Sequence, residues 1–120
     1  MKFKKGLLEA LCEASKSVYP DEFLAMLSVK KDQGIVEEFV VVPAIFGKSF
    51  SSFRPDLLPF DSKIVGTIHS HPSRNNSPSQ ADLGVFSMGR VNLIIGFPYF
   101  LSSVRAFDNF GKELKLEIME

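Results

Sequence analysis

Residues 63–82 read KIVGTIHSHPSRNNSPSQAD. Both histidines of the 120-residue chain, His69 and His71, stand in this stretch one residue apart, and Asp82 closes it. Lys63–His71 is rich in β-branched and apolar residues and predicts a strand. Side chains on a strand alternate between faces, so both imidazoles point one way and Ser70 points the other. The run from Pro72 to Ser79 has the composition of a loop. At Ser79 the pattern turns helical: Ser79 is a good N-cap, Asp82 falls at N3, Leu83, Val85 and Phe86 begin an apolar face, and Gly89 ends the element. A strand, a reversing loop and a helix start thus gather two imidazoles and a carboxylate.

Outward from this stretch the chain reads as alternating helix and sheet. Leu7, Leu8, Leu11, Cys12 and Val18 recur at helical spacing from Phe3 to about Val18, with Lys and Glu between them. That is a one-sided helix with Cys12 on its buried stripe, stopped by Pro20. EFLAMLSVK (22–30) and IVEEFVVVPAIF (35–46), separated by Asp32-Gln33-Gly34, predict a hairpin. Residues 47–62 read as a short strand with irregular connections. VNLIIGF, LSSVRAF and the alternating ELKLEI supply three more apolar runs after residue 90. Helix, hairpin, strands, helix and strands make a mixed α/β sheet packed by helices, in one domain over residues 1–120.

The composition narrows the function. Fourteen basic and fourteen acidic residues cancel, so no net field recruits nucleic acid or anionic lipid. Lys2, Lys4 and Lys5 are read as a solvated end. No apolar run approaches membrane-spanning length. Glu9 and Glu13 interrupt what would be the apolar region of a signal peptide, and the single cysteine fits a reducing compartment, so a cytoplasmic setting is expected.

Two neutral imidazoles and one carboxylate can meet on one ion in a three-ligand zinc site, with the fourth position left to water. The competing interpretation is a cluster that merely hydrogen-bonds at a strand end. Other hydrolytic chemistries lack their residues. There is no G-x-S-x-G elbow for a Ser-His-Asp enzyme, no P-C-x-x-C pair for a zinc deaminase and no H-E-x-x-H helix.

His69-Ser70-His71-Pro72, then Ser79, then Asp82 spells H-S-H-P-x6-S-x2-D. This resembles the signature of the JAMM (MPN+) zinc metalloproteases, and Val65-Gly66 matches the usual lead-in. Pro20-Asp21-Glu22 resembles the Pro-x-Glu element of the same family. The resemblance implies a three-layer α-β-α mixed sheet, the cytidine-deaminase-like JAMM/MPN fold. It implies His69, His71 and Asp82 as zinc ligands, Glu22 as general base and Ser79 as the residue whose hydroxyl helps hold the oxyanion. From the residues alone, Asp21 competes with Glu22 as base, and helix capping competes with the oxyanion role of Ser79.

The family hydrolyses peptide or isopeptide bonds at the C-terminal glycine of ubiquitin or ubiquitin-like modifiers. The resemblance therefore implies a zinc isopeptidase in minimal prokaryotic form, whose partner is a ubiquitin-like or sulfur-carrier protein and its conjugates. A processing hydrolase for a sulfur-carrier protein and a zinc-containing binding module are the alternatives. Residues 46–58 (FGKSFSSFRPDLL), with Phe50 and Phe53, are candidates for docking the substrate tail, and equally for plugging the core. Gly96–Leu101 is assigned to core or to a homodimer surface.

Overall fold

Leu93, Ile94 and Ile95 are all buried. Neighbours on a strand face opposite ways, so the sheet that carries them is covered on both sides. A computed structural model describes residues 1–31, 34–41, 63–86 and 89–120, apart from the side chains at 81 and 85. Its elements are β1 (Lys2–Lys4), α1 (Lys5–Val18), β2 (Leu24–Val29), β3 (Ile35–Val41) and β4 (Ile64–His71). They continue with α2 (Gln80–Phe86), β5 (Val91–Gly96), β6 (Val104–Phe107), β7 (Glu113–Leu114) and β8 (Glu117–Met119). Among the described residues, no helix is long and apolar enough to cross a membrane.

The strands form one sheet in the order β7-β6-β5-β4-β2-β3-β1-β8. Pairing is mixed: β4 runs parallel to β5, and β1 runs parallel to both β3 and β8. The β2–β3, β2–β4, β5–β6 and β6–β7 pairs are antiparallel. Leu7, Leu8, Leu11 and Cys12 of α1 cluster with Ala25, Leu27, Ile68, Leu93 and Ile95. Ile94, between two members of that cluster, packs instead with Phe86 of α2 and with Phe107. The two helices therefore cover opposite faces of the sheet, giving the expected three layers. By the same alternation, His69 and His71 share the α2 face and Ile68 the α1 face.

Two departures from the sequence expectation concern the chain ends. Phe3 and Lys4 do not begin the helix. Phe3 lies in register with Val36 and Ile118 and is buried, so pairing on both sides outweighs the helical spacing. The alternating run near the end divides into β7 and β8, which occupy opposite edges of the sheet. Phe3, Val91, Ala106, Leu114 and Glu117 line one cavity, so the sheet curls enough to bring those edges together. α2 is described from Gln80 to Phe86, and residues 87–88, between it and the expected boundary at Gly89, lie outside the described residues. The short strand expected within 47–62, and with it Phe50 and Phe53, lies outside the described residues.

One close approach holds the centre of the sheet. Gly66 of β4 lies in register with Val91 of β5, and a Cβ at Gly66 would stand 1.7 Å from the Val91 carbonyl oxygen. Glycine is required there by space, three residues before His69.

Candidate metal centre

The end of β4, the loop after it and the first turn of α2 bring three donors together. His69 Nε2 lies 3.1 Å from His71 Nε2. His69 Nε2 lies 3.0 Å from Asp82 Oδ1, and His71 Nε2 lies 3.2 Å from Asp82 Oδ2. Tetrahedral coordination with bonds of about 2.0 Å sets neighbouring donors roughly 3.3 Å apart. The observed triangle has that size, so the two nitrogens and the carboxylate fit one small divalent ion. His69 and Asp82 are buried, and the His71 side chain is 14% exposed, which leaves an open side towards solvent.

The surroundings fix each donor. His71 Nδ1 lies 2.7 Å from the carbonyl oxygen of Asn75, which can only accept. A proton therefore sits on Nδ1, which leaves Nε2, on the Asp82 side of the ring, as the nitrogen that can bind an ion once it gives up its own proton. Ser79 N donates to Asp82 Oδ2 at 2.7 Å, and Asp82 N donates to Ser79 Oγ at 3.2 Å. This reciprocal cap starts α2 and aims the carboxylate. Burial pushes the Asp82 carboxyl up, but hydrogen bonds from His69 and His71 outweigh it and hold the group well below the usual carboxylate range. Burial pulls the His71 imidazole down, yet the Asp82 and Asn75 hydrogen bonds and the charges of Asp82 and Glu22 leave it raised. Such a proton-binding cluster is what a cation displaces, since ligands must give up protons to bind metal.

Glu22 comes from the segment just before β2, 47 positions before His69. Leu24 pairs with His69, and Ser70 N donates to Phe23 O at 2.9 Å. Strand alternation carried two residues past Leu24 gives Glu22 the parity of the face that holds the imidazoles. Glu22 is half-buried, just before β2 rather than within it, and its charge is felt at both His71 and Tyr99. Asp21 has the opposite parity and is exposed.

Two further residues support the site without a role expected from the sequence. Ser70 is buried, and its Oγ accepts from Phe23 N at 2.8 Å, fixing the backbone next to Glu22. Asn92 is buried on the α2 face, where Thr67 Oγ1 donates to its Oδ1 at 2.6 Å and its Nδ2 reaches Phe86 O at 3.3 Å. It ties the last turn of α2 to the sheet while Asp82 works at the first. A lone Asn inside VNLIIGF was the available signal, because a buried amide needs partners.

A family model for prokaryotic homologs of the JAB domain matches residues 4–106. This chain belongs to the Prok-JAB family. The Prok-JAB chain is 35% identical over 122 residues to a probable metalloprotease of Haloferax volcanii, an alignment covering 94% of this chain and 76% of that relative. Its fold matches the crystal structure of a JAB1/MPN domain protein from Archaeoglobus fulgidus with a TM-score of 0.81 and 37% identity, covering 100% of each chain. A second solved structure, reported as JAMM, a metalloprotease-like zinc site in the proteasome and signalosome, matches with a TM-score of 0.80 and 36% identity. That match covers 100% of this chain and 98% of the other. The JAMM resemblance and the fold class expected from the sequence hold. The Prok-JAB site is a His-His-Asp group able to hold a metal ion, in a family with a JAMM metalloprotease-like zinc site.

Proposed function

We propose that this chain is a zinc-dependent isopeptidase that frees the C-terminal glycine of a ubiquitin-like modifier from the lysine amine of a conjugate. The observation that carries the reading is the donor triangle of His69, His71 and Asp82; the charge of Glu22, felt at His71, supports a carboxylate beside it. Zinc bound there supplies Lewis acidity at the scissile carbonyl and lowers the pKa of a water.

The chain's own groups carry the rest. Glu22 accepts the proton of the attacking water and returns it to the departing lysine amine. Ser79 serves two roles without conflict. Its oxygen uses a lone pair to accept from Asp82 N, and its O–H proton is still available to steady the oxyanion. The open side at His71 admits an extended tail, and a Gly-Gly end suits a narrow approach. A reducing, cytoplasmic setting suits the lone Cys12.

The test uses the zinc-loaded chain and a lysine conjugate of a ubiquitin-like protein ending in Gly-Gly. Wild type should cleave it, and Glu22→Gln should keep its zinc and lose about 10²–10⁴-fold in kcat. Full cleavage by Glu22→Gln removes Glu22 as the base. Cleavage of a C-terminally extended carrier protein but of no isopeptide makes the chain a processing hydrolase. Tight binding without any cleavage makes it a binding module.

A further inference from the structure

The carbonyl that orients His71 belongs to a segment without regular structure, residues 72–79, so something must hold that segment in place. Asn76, next to Asn75, is fixed at both ends of its amide. Its Nδ2 donates to Ser103 O at 3.0 Å, and its Oδ1 accepts from Arg105 Nη1 at 3.3 Å. The same Nη1 donates to Ser77 Oγ at 3.2 Å. Arg105 is itself clamped by Glu113, with Nε to Oε2 at 3.0 Å and Nη2 to Oε1 at 2.8 Å, and its guanidinium lies 5.2 Å from the Phe107 ring centroid. Under the loop, Phe97 N donates to Ser73 O at 2.8 Å. A Cβ on Gly96 would come within 3.1 Å of the Asn76 Cβ, so the loop lies directly on the end of β5.

We propose that Asn76 and Arg105 form a strut, from β6 and β7 across to the metal loop, that sets how tightly His71 holds its ion. They are positioning residues, acting through the Asn75 carbonyl and the His71 Nδ1–H. A planar guanidinium suits the task because one rigid fork grips Glu113 while the remaining N–H groups reach the loop. Without it, Asn75 loses the neighbour that fixes its peptide plane, and the imidazole loses the acceptor that keeps its Nε2 lone pair aimed at the ion. The strut rests on the zinc-centre reading above, and it predicts retention of metal independently of which bond is cleaved.

The experiment measures zinc affinity and zinc release by competition with a chromophoric chelator, on the full chain and three variants: Asn76→Ala, Arg105→Met and the double variant. Partners behind ligating histidines are worth about 10–100-fold in metal affinity. Asn76→Ala should weaken zinc binding about tenfold, Arg105→Met several-fold, and the double variant no more than Asn76→Ala alone. The melting temperature of the metal-free chain should move little, which separates positioning from a structural role. Asn76→Asp keeps the acceptor for Arg105 and gives up the bond to Ser103, so it should fall between wild type and Asn76→Ala; it also decides the matter should Arg105→Met fail to fold. Unchanged zinc release in the variants, or additive losses in the double variant, overturns the strut alone. A wild-type chain that takes up no zinc overturns the zinc-centre reading together with it.

Discussion

Replacing Gly66 with alanine tests the packing on which the imidazoles depend. The added Cβ would stand 1.7 Å from the Val91 carbonyl oxygen and 2.8 Å from its carbonyl carbon. Real Cβ atoms essentially never come closer than 3.0 Å, so from 1.7 Å the two strands must part by at least 1.3 Å. The obstacle is backbone, so no rotamer change relieves it. Arg90 N donates to Val65 O at 2.8 Å beside this point, and a separation of that size takes the pair out of hydrogen-bonding range. One or two ladder bonds lost at about 1 kcal/mol each, with overpacking at about 1–3 kcal/mol, give a penalty of about 3 kcal/mol. For a chain of 120 residues, at about 4 °C per kcal/mol, the melting temperature should drop by about 12 °C. His69 pairs with Ile94 across the same two strands, so zinc affinity should weaken as well. Circular-dichroism melts of the metal-free chain measure the effect, with Gly6→Ala as the control. Nothing lies within 4 Å of a Cβ at Gly6, and that change should be neutral or stabilise by about 0.5 kcal/mol. A Gly66→Ala chain melting within about 2 °C of wild type would refute the close-approach argument.

Two further predictions concern the helix cap and the thiol. Ser79→Ala removes the N-cap of α2 and should cost about 1 kcal/mol; if the hydroxyl also steadies the oxyanion, kcat measured well below the melting point should fall about 100-fold. A lowered melting temperature with kcat unchanged would restrict Ser79 to capping. Burial pushes the Cys12 thiol up, so it stays protonated at neutral pH, and iodoacetamide should modify the native chain at least about tenfold more slowly than the urea-unfolded chain. Equal rates, read by mass spectrometry, would place Cys12 on an accessible surface.

The parts of the site within one short stretch were legible because they follow from local rules. Strand parity put His69 and His71 on one face, and cap chemistry put Asp82 at the mouth of α2. Glu22 needed a pairing register between strands 47 residues apart, which no local pattern encodes; only the family resemblance preferred it to Asp21. The terminal strands were misread for a related reason. Phe3 has a helical spacing to Leu7, and its place in β1 is decided by β3 and β8, which lie far along the chain. Arg105 and Asn76 belong to no pattern read from the sequence, and the role proposed for them depends on a loop folding back over Gly96.

In the proposed function, His69, His71 and Asp82 together hold one zinc ion. Zinc-edge anomalous diffraction from crystals of the zinc-loaded chain tests it most directly. A single peak should stand about 2.0–2.1 Å from both Nε2 atoms and about 2.0–2.2 Å from an Asp82 carboxylate oxygen. A zinc-loaded crystal with no peak between these three side chains would contradict it.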